Sequence, residues 1–327
     1  MEDGASLRAA DLKKVRLGRY PFKAGIKYFV ARRAPYLATS TLEENTRKLR
    51  YLADVIENMS ERGMIASSDP RRIDRHCIEE VLLFLKGKHL EISTKEKYLS
   101  ILKSYLKLWG NNCIDELQLT TRLLPPKPVK EIRALSVGDI AAILEEADRV
   151  PGHMGEIIRG MIALTFATGL RPKESIDAEI GDMDMRGHRF YVRHPKGEES
   201  WASPQWVYMI RGDMFPRIEA YMVYRRSILP DNRYLFPNPR TGIPYCQNTI
   251  RRQCRRLSQS TGVLFRMKDL RSSLASITVA DDLTRLKAVS LQLRHTKLST
   301  TESFYAKIEN DRVEKEIGSV WKEDPVE

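Results

Sequence analysis

Five short stretches in the second half of the 327-residue chain carry side chains suited to chemistry on phosphate esters. They are Thr168-Gly169-Leu170-Arg171-Pro172, Pro195-Lys196-Gly197, Lys268-Asp269-Leu270-Arg271, Leu293-Arg294-His295 and Ser303-Phe304-Tyr305. In chain order they present a cation, a second cation, paired cations, an imidazole and a lone phenol. Transesterification at a phosphodiester builds negative charge on the non-bridging oxygens, and a planar, permanently charged guanidinium fork is the side chain best shaped to meet it. Arg171 and Arg271 fit that need. Imidazole changes charge near neutrality, so His295 can donate to such an oxygen or handle a proton. A phenol with an unperturbed pKa of about 10 becomes a usable oxygen nucleophile when neighbouring cations favour the phenolate, which is the chemistry open to Tyr305. Taken singly, an arginine is more often a surface ion pair and a tyrosine a packing residue. The order of the set carries the information.

The elements that must position these residues read as mainly helical. Apolar residues at three- and four-residue intervals predict helices over 21–33, 40–62, 74–86 and 93–109. In the second of these Leu42, Leu49, Leu52, Val55, Ile56 and Met59 make one stripe, with Lys48, Arg50 and Arg62 off it, and Ser93-x-x-Glu96 has the form of a capping box opening the fourth. Three prolines between Arg122 and Arg133 remove amide donors and exclude a helix, so 122–134 reads as a stiff linker between domains over 1–121 and 135–327.

Ser136-x-x-Asp139 starts the second domain ahead of a helix over 141–149, and a helix over 156–168 is apolar nearly all round and therefore buried. Gly169 suits the end of that helix and Pro172 the start of the next, which puts Arg171 at a rigid junction. Strands over 189–193 and 205–210 flank a polar stretch with Pro195, Gly197 and Pro204, so a small hairpin should hold Lys196 in its turn. Helices over 217–224, 248–258, 270–278 and 283–293 complete the domain. Beyond Tyr305, Ile308, Val313, Ile317 and Trp321 share one helical face.

Composition narrows the partner. The 55 Lys and Arg against 43 Asp and Glu leave a net charge of +12, which favours a polyanion, nucleic acid first. The length exceeds what one core usually organises, which agrees with two domains. Four scattered cysteines with no CxxC pairing point to a reducing compartment and neither a zinc site nor a disulfide framework. His188 and His194 lack further ligands at metal spacing, and Asp182, Asp184 and Asp269 are isolated turn or helix-start residues, so a two-metal nuclease is not supported. Residues 1–10 lack the apolar core of a signal peptide and no run is long enough to span a bilayer, so a cytoplasmic protein is expected.

In the order and spacing of the five stretches the chain resembles the tyrosine recombinases, or phage-type integrases, strongly over roughly its last 190 residues and in general layout before that. The resemblance implies a mainly α fold with a small β-hairpin or sheet, in which a helical core-binding domain clamps the duplex and a catalytic domain follows. It implies a site-specific recombinase that cleaves and rejoins DNA through a 3′-phosphotyrosyl intermediate, with neither metal nor cofactor. Arg171 and Arg271 would hold the phosphate oxygens, Lys196 would protonate the leaving 5′-oxygen, His295 would assist, and Tyr305 would attack phosphorus.

Two positions depart from the family pattern. Lys268 stands where the family most often has histidine, as in some archaeal and viral integrases, and an ammonium has no acceptor with which to act as a base. Tyr305 lies ten positions after His295, one more than usual, so the expected place falls on Phe304. An extra residue in the connecting turn accounts for that. Lys95, Lys97, Lys103 and Lys107 in the helical domain and Lys127 and Lys130 in the linker are candidate phosphate contacts, although lysines on a helix also make an ordinary solvated face. The partners implied are double-stranded DNA and further copies of the chain, a monomer in solution and a tetramer on paired sites. A type IB topoisomerase, or a non-catalytic DNA-binding regulator on the same fold, is the alternative.

Overall fold

The computed structural model describes residues 12, 14–126, 134–199 and 201–294. The chain divides into two compact units, Met1–Val129 and Lys130–Glu327.

Unit 1 is helical: α1 (Pro21–Arg33), α2 (Thr39–Glu61), α3 (Arg75–Gly87), α4 (Ile92–Leu108) and α5 (Cys113–Thr120). Phe22, Phe29, Leu49, Leu52, Ile56, Ile78, Leu102 and Tyr105 form its core. The start of α1 has no side-chain cap of its own. Glu57, buried on α2, supplies one from a distance: its Oε1 accepts from the Phe22 and Lys23 amides at 2.9 and 3.2 Å, and its Oε2 from Ser68 Oγ. A carboxylate at a helix N-terminus satisfies amides left unpaired there and complements the helix dipole. On α3 the side chain of Asp74 accepts from the Cys77 amide at 2.9 Å, an ordinary local cap.

Three readings of this unit are corrected. Lys48 lies off the apolar stripe in sequence but is buried, its ammonium paired with Glu44 one turn earlier. Ser93 does not cap α4: the helix begins at Ile92 after Glu91, and the Ser93 hydroxyl donates to Glu91 Oε2. The short helix α5 follows the Gly110-Asn111-Asn112 turn, beyond the four helices that the apolar intervals predict for this unit.

Unit 2 holds α6 (Val137–Asp148), α7 (Gly152–Thr168), α8 (Pro172–Ile176), β1 (Met183–Asp184), β2 (Arg189–Val192), β3 (Gln205–Tyr208), α9 (Phe215–Ile228), α10 (Gln247–Thr261), α11 (Met267–Asp281) and α12 (Leu286–Gln292). The capping box of Ser136 and Asp139 is present at α6, which starts at Val137 rather than Ala141. The buried helix α7 is the axis of the unit, packed by α6, α9 and α11. At Gly160 a Cβ would lie 2.5 Å from the Tyr221 ring, so only glycine lets α9 approach this closely.

The expected hairpin is a three-stranded antiparallel sheet in the order β1-β2-β3, with Met183 opposite Phe190 and Phe190 opposite Val207. Phe190, Val192 and Val207 face the core, while Tyr191 and Trp206 pack on the other face with ring centroids 5.1 Å apart. The period-two rule accounts for both faces. Two-residue β1 is too short to carry such a pattern. No described helix is long and apolar enough to cross a membrane.

Candidate active site

Arg171 is placed by the junction that its neighbours predict. Helix α7 ends at Gly169, which has a left-handed φ of 73°, Leu170 is fully buried, and Pro172 opens α8. At Gly169 a Cβ would stand 2.4 Å from Leu293 Cδ2 and 3.2 Å from Leu274 Cδ2. Gly169→Ala is therefore expected to cost about 1–3 kcal/mol through overpacking and a left-handed backbone. Urea unfolding with an unchanged slope and a lower midpoint is the check.

Glu174, three residues after Arg171, organises the site. Its Oε2 accepts from the Arg171 amide and its Oε1 from Arg171 Nη1, both at 2.8 Å. The same Oε2 accepts from Arg294 Nη2. Arg171 Nη2 in turn donates to the Arg294 carbonyl at 3.3 Å.

Arg271 rises from the first turns of α11 and is only 8% exposed. Its Nη1 donates to the Gly169 carbonyl and its Nη2 to the Leu293 carbonyl. One guanidinium thus ties together the backbone leading into Arg171 and the backbone leading into Arg294. Burial, with the charges of Arg171 and Arg294 nearby, pushes Arg271 down to about 9, and Glu174 opposes the shift. It remains a cation at neutral pH. Burial also lowers Arg294, against the pull of Glu174.

Arg171 and Arg294 therefore share one buried carboxylate, whose charge also acts on Arg271. Glu174→Gln, which keeps the shape and removes the charge, should lower the stability of this unit by about 3–5 kcal/mol, because buried cations lose their counter-charge. Chemical denaturation measures that loss. Glu174→Asp, whose shorter side chain keeps the charge, should lose less.

Lys196 sits exposed in the turn between β2 and β3, beside Gly197, which has a φ of 95° and lies against the Trp201 indole. A cleft of about 210 Å³ is lined by Arg171, Pro195, Lys196, Trp201, Gln205 and Arg294. The structure thus brings Arg171 and Lys196 to one cleft; Arg271 is not among the residues lining it and bonds instead to the Gly169 and Leu293 carbonyls. Gln292 braces the same region, its Nε2 donating to the Thr168 and Tyr208 carbonyls at 2.9 and 2.7 Å.

The other sequence candidates fall elsewhere. Lys268 is exposed in the first turn of α11 and is not among the residues lining the cleft. His295 and Tyr305 lie outside the described residues, as do Lys127 and Lys130. Lys103 and Lys107 both reach Asp115 Oδ1 at 2.9 Å, so these two charges are partly spoken for by α5, while Lys97 is exposed and Lys95 half-buried. Among the described residues no group of three or more His, Cys, Asp or Glu is placed to hold a metal ion.

Sequence reasoning missed Glu174 and Arg294, and also the basic face of α10, where Arg251, Arg252, Arg255 and Arg256 are exposed. That face was readable. Ile250, Cys254 and Leu257 form the opposite, buried stripe at helical spacing. For Glu174 the signal was a carboxylate three residues after an arginine at a helix start, a reciprocal capping geometry.

Comparison with known proteins agrees with this geometry. Residues 133–312 match the phage integrase family. Tyrosine recombinase XerC of Lactobacillus leichmannii is 25% identical over 234 residues, covering 69% of this chain and 76% of that protein. XerC of Herpetosiphon aurantiacus is 29% identical over 119 residues, covering 36% and 39%. Among solved structures, the Tn1549 transposon integrase in complex with transposon right-end DNA has a TM-score of 0.64 at 14% identity, covering 90% of this chain and 99% of that one. The XerH site-specific recombinase bound to its difH substrate has a TM-score of 0.63 at 17% identity, covering 91% and 90%. These two share the fold. With its arginines, lysine and short sheet arranged around one cleft, and more than half its length matching the family, the chain belongs to the phage integrase family of tyrosine recombinases.

Proposed function

We propose that this chain is a site-specific DNA recombinase that cuts and rejoins strands through a 3′-phosphotyrosyl link on Tyr305, without a metal ion. The observation that carries this reading is the meeting of Arg171 and Lys196, remote in sequence, in one cleft, with Arg271 bonded to the Gly169 and Leu293 carbonyls just before Leu170-Arg171 and Arg294. The Tyr305 phenolate attacks phosphorus, the P–O5′ bond breaks, and the leaving oxygen takes a proton from Lys196 to become a free 5′-hydroxyl. The bond energy stays in the phosphotyrosine, and a 5′-hydroxyl from another strand reverses the step. Arg171 and Arg271 hold the non-bridging oxygens, where charge grows in the transition state. His295 supports the phosphate or the phenol proton, and Lys268 serves as an outer phosphate ligand.

Unit 1 is the core-binding clamp in this reading, with Lys95, Lys97, Lys103 and Lys107 toward phosphates, and Lys127 and Lys130 make the linker a basic strap. Asp115 holds two of those lysines in the free protein, so DNA would have to compete for them. The exposed arginines of α10 add a second basic surface. We place the protein in the cytoplasm, monomeric when free and tetrameric on two DNA sites. A type IB topoisomerase and a silent DNA-binding regulator are not favoured, since the relatives that match at the sequence level are named recombinases.

The test is a plasmid bearing two copies of a candidate attachment site, incubated with protein in a metal chelator. Exchange of the flanking sequences supports recombination, with a steep fall as salt rises because several phosphates are neutralised. Relaxation of supercoils with no exchanged product would point instead to the topoisomerase.

A further inference from the structure

We propose that Arg294 is a third phosphate-gripping arginine of the cleft, donating to a non-bridging oxygen of the DNA phosphodiester beside Arg171. This deepens the recombinase reading and rests on it. Three independent observations lead there.

The first is conformation. Arg294 has a φ of 56°, a left-handed backbone that non-glycine residues rarely adopt. Such conformations persist where the surroundings over-determine them and gather at functional sites. Here both neighbouring arginines hold the turn: Arg271 Nη2 binds the Leu293 carbonyl and Arg171 Nη2 the Arg294 carbonyl.

The second is unused donor capacity. The Arg294 side chain is 5% exposed, and its Nη2 is paired with Glu174. Its Nε and Nη1 have no hydrogen-bond partner among the described residues. A buried, charged donor without an acceptor is rare in folded proteins and calls for a reason.

The third is place and charge. Arg294 lines the same cleft as Arg171 and Lys196. Arg171 and Arg294 share one carboxylate while Arg271 adds a third positive charge nearby, and the burial that lowers the proton affinity of Arg294 is opposed by Glu174 alone. A phosphodiester entering the cleft supplies the missing acceptor and the missing negative charge together. Were Arg294 needed only to neutralise Glu174, Arg171 would already serve.

Two variants and two substrates test this. Arg294→Gly removes the guanidinium and suits the left-handed backbone, while Arg171 still pairs with Glu174, so it should fold, and its rate is read below its own melting transition. Arg294→Lys keeps the charge and loses the planar donors. Covalent capture is timed on nicked duplexes carrying either the natural phosphodiester or a methylphosphonate at the scissile position, where a methyl group replaces one non-bridging oxygen. On the phosphodiester, Arg294→Gly should react on the order of 100-fold more slowly than wild type, with Arg294→Lys between them. On one methylphosphonate diastereomer the gap should shrink to a few-fold, because the oxygen that Arg294 would hold is gone. A gap absent on the phosphodiester, or unchanged on both methylphosphonates, overturns the proposal. If wild type forms no adduct at all, the phosphotyrosine reading fails, and inorganic phosphate then decides on Arg294. A phosphate-dependent rise in melting temperature lost in Arg294→Gly sustains the anion site; equal rises in both proteins refute it.

Discussion

Arg271→Ala is expected to slow formation of the covalent DNA adduct by on the order of 100 to 1,000-fold, the usual cost of removing one preorganised donor from a developing oxyanion. It should also destabilise the protein. The guanidinium donates to the buried carbonyls of Gly169 and Leu293, and an orphaned buried acceptor costs roughly 1–3 kcal/mol. Removing Arg271 also relieves its repulsion with Arg171 and Arg294, so a net loss of about 2–4 kcal/mol is the expectation. DNA affinity should change far less than rate, since many other cations bind phosphates and this one acts where charge grows. Arg271→Lys separates the two roles: it restores the charge and cannot span both carbonyls, so its rate should fall between wild type and alanine. Single-turnover capture below the melting transition of each variant, beside chemical denaturation, reads both quantities. A rate within a few-fold of wild type for Arg271→Ala would remove this arginine from the site.

Glu174 ties this to the rest of the cluster. Arg171, Arg271 and Arg294 are like charges held close, a costly arrangement without a bound anion. Burial first, and the charges of Arg171 and Arg294 second, depress the proton affinity of Arg271. Binding of a phosphodiester would relieve the repulsion, and any ligand that binds only the folded state raises apparent stability. On the proposed reading, the cluster would be preorganised for an anion at some expense to the free protein.

Much of this was legible in the chain because the relevant signals are local. The apolar intervals of α1 to α4 and the all-round apolar α7 locate the helices, and Gly169 and Pro172 bracket Arg171 as their backbone preferences dictate. What stayed hidden depends on residues far apart. Glu57 caps α1 from another helix, so no motif beside Tyr20 announces it. Ser93 has the spacing of a cap, but the N-cap position of α4 falls on Glu91, two residues earlier. Lys48 is buried because its long stem packs while its ammonium finds Glu44, an outcome that residue type alone argues against. Strand β1 exists through its pairing with β2 and is too short to show a period.

The site divides the same way. Motif order singled out Arg171, Lys196 and Arg271, the first two of which line one cleft. Arg294 stood inside a quoted motif without a role, because only the folded turn shows its left-handed backbone and unpaired donors. Lys268, one helical turn from Arg271, remains on the surface, which suits an outer phosphate contact better than a general base. The pairing of Lys103 and Lys107 with one aspartate needed α5, which no periodic run of useful length disclosed.

The central claim is that Tyr305 becomes covalently joined to DNA. Wild type and Tyr305→Phe are incubated with nicked duplexes containing candidate attachment sites, in chelator, and the products are separated under denaturing conditions. Phenylalanine keeps the ring and removes only the oxygen that must attack phosphorus, so packing changes little and the chemistry has no substitute. Phe304, next in the chain, offers no oxygen either. The account predicts a denaturant-resistant protein–DNA band from wild type and none from Tyr305→Phe, with DNA binding retained by both. A band of equal strength from both proteins would assign the nucleophile elsewhere, and no band from a wild type that binds the DNA would contradict the phosphotyrosine mechanism itself.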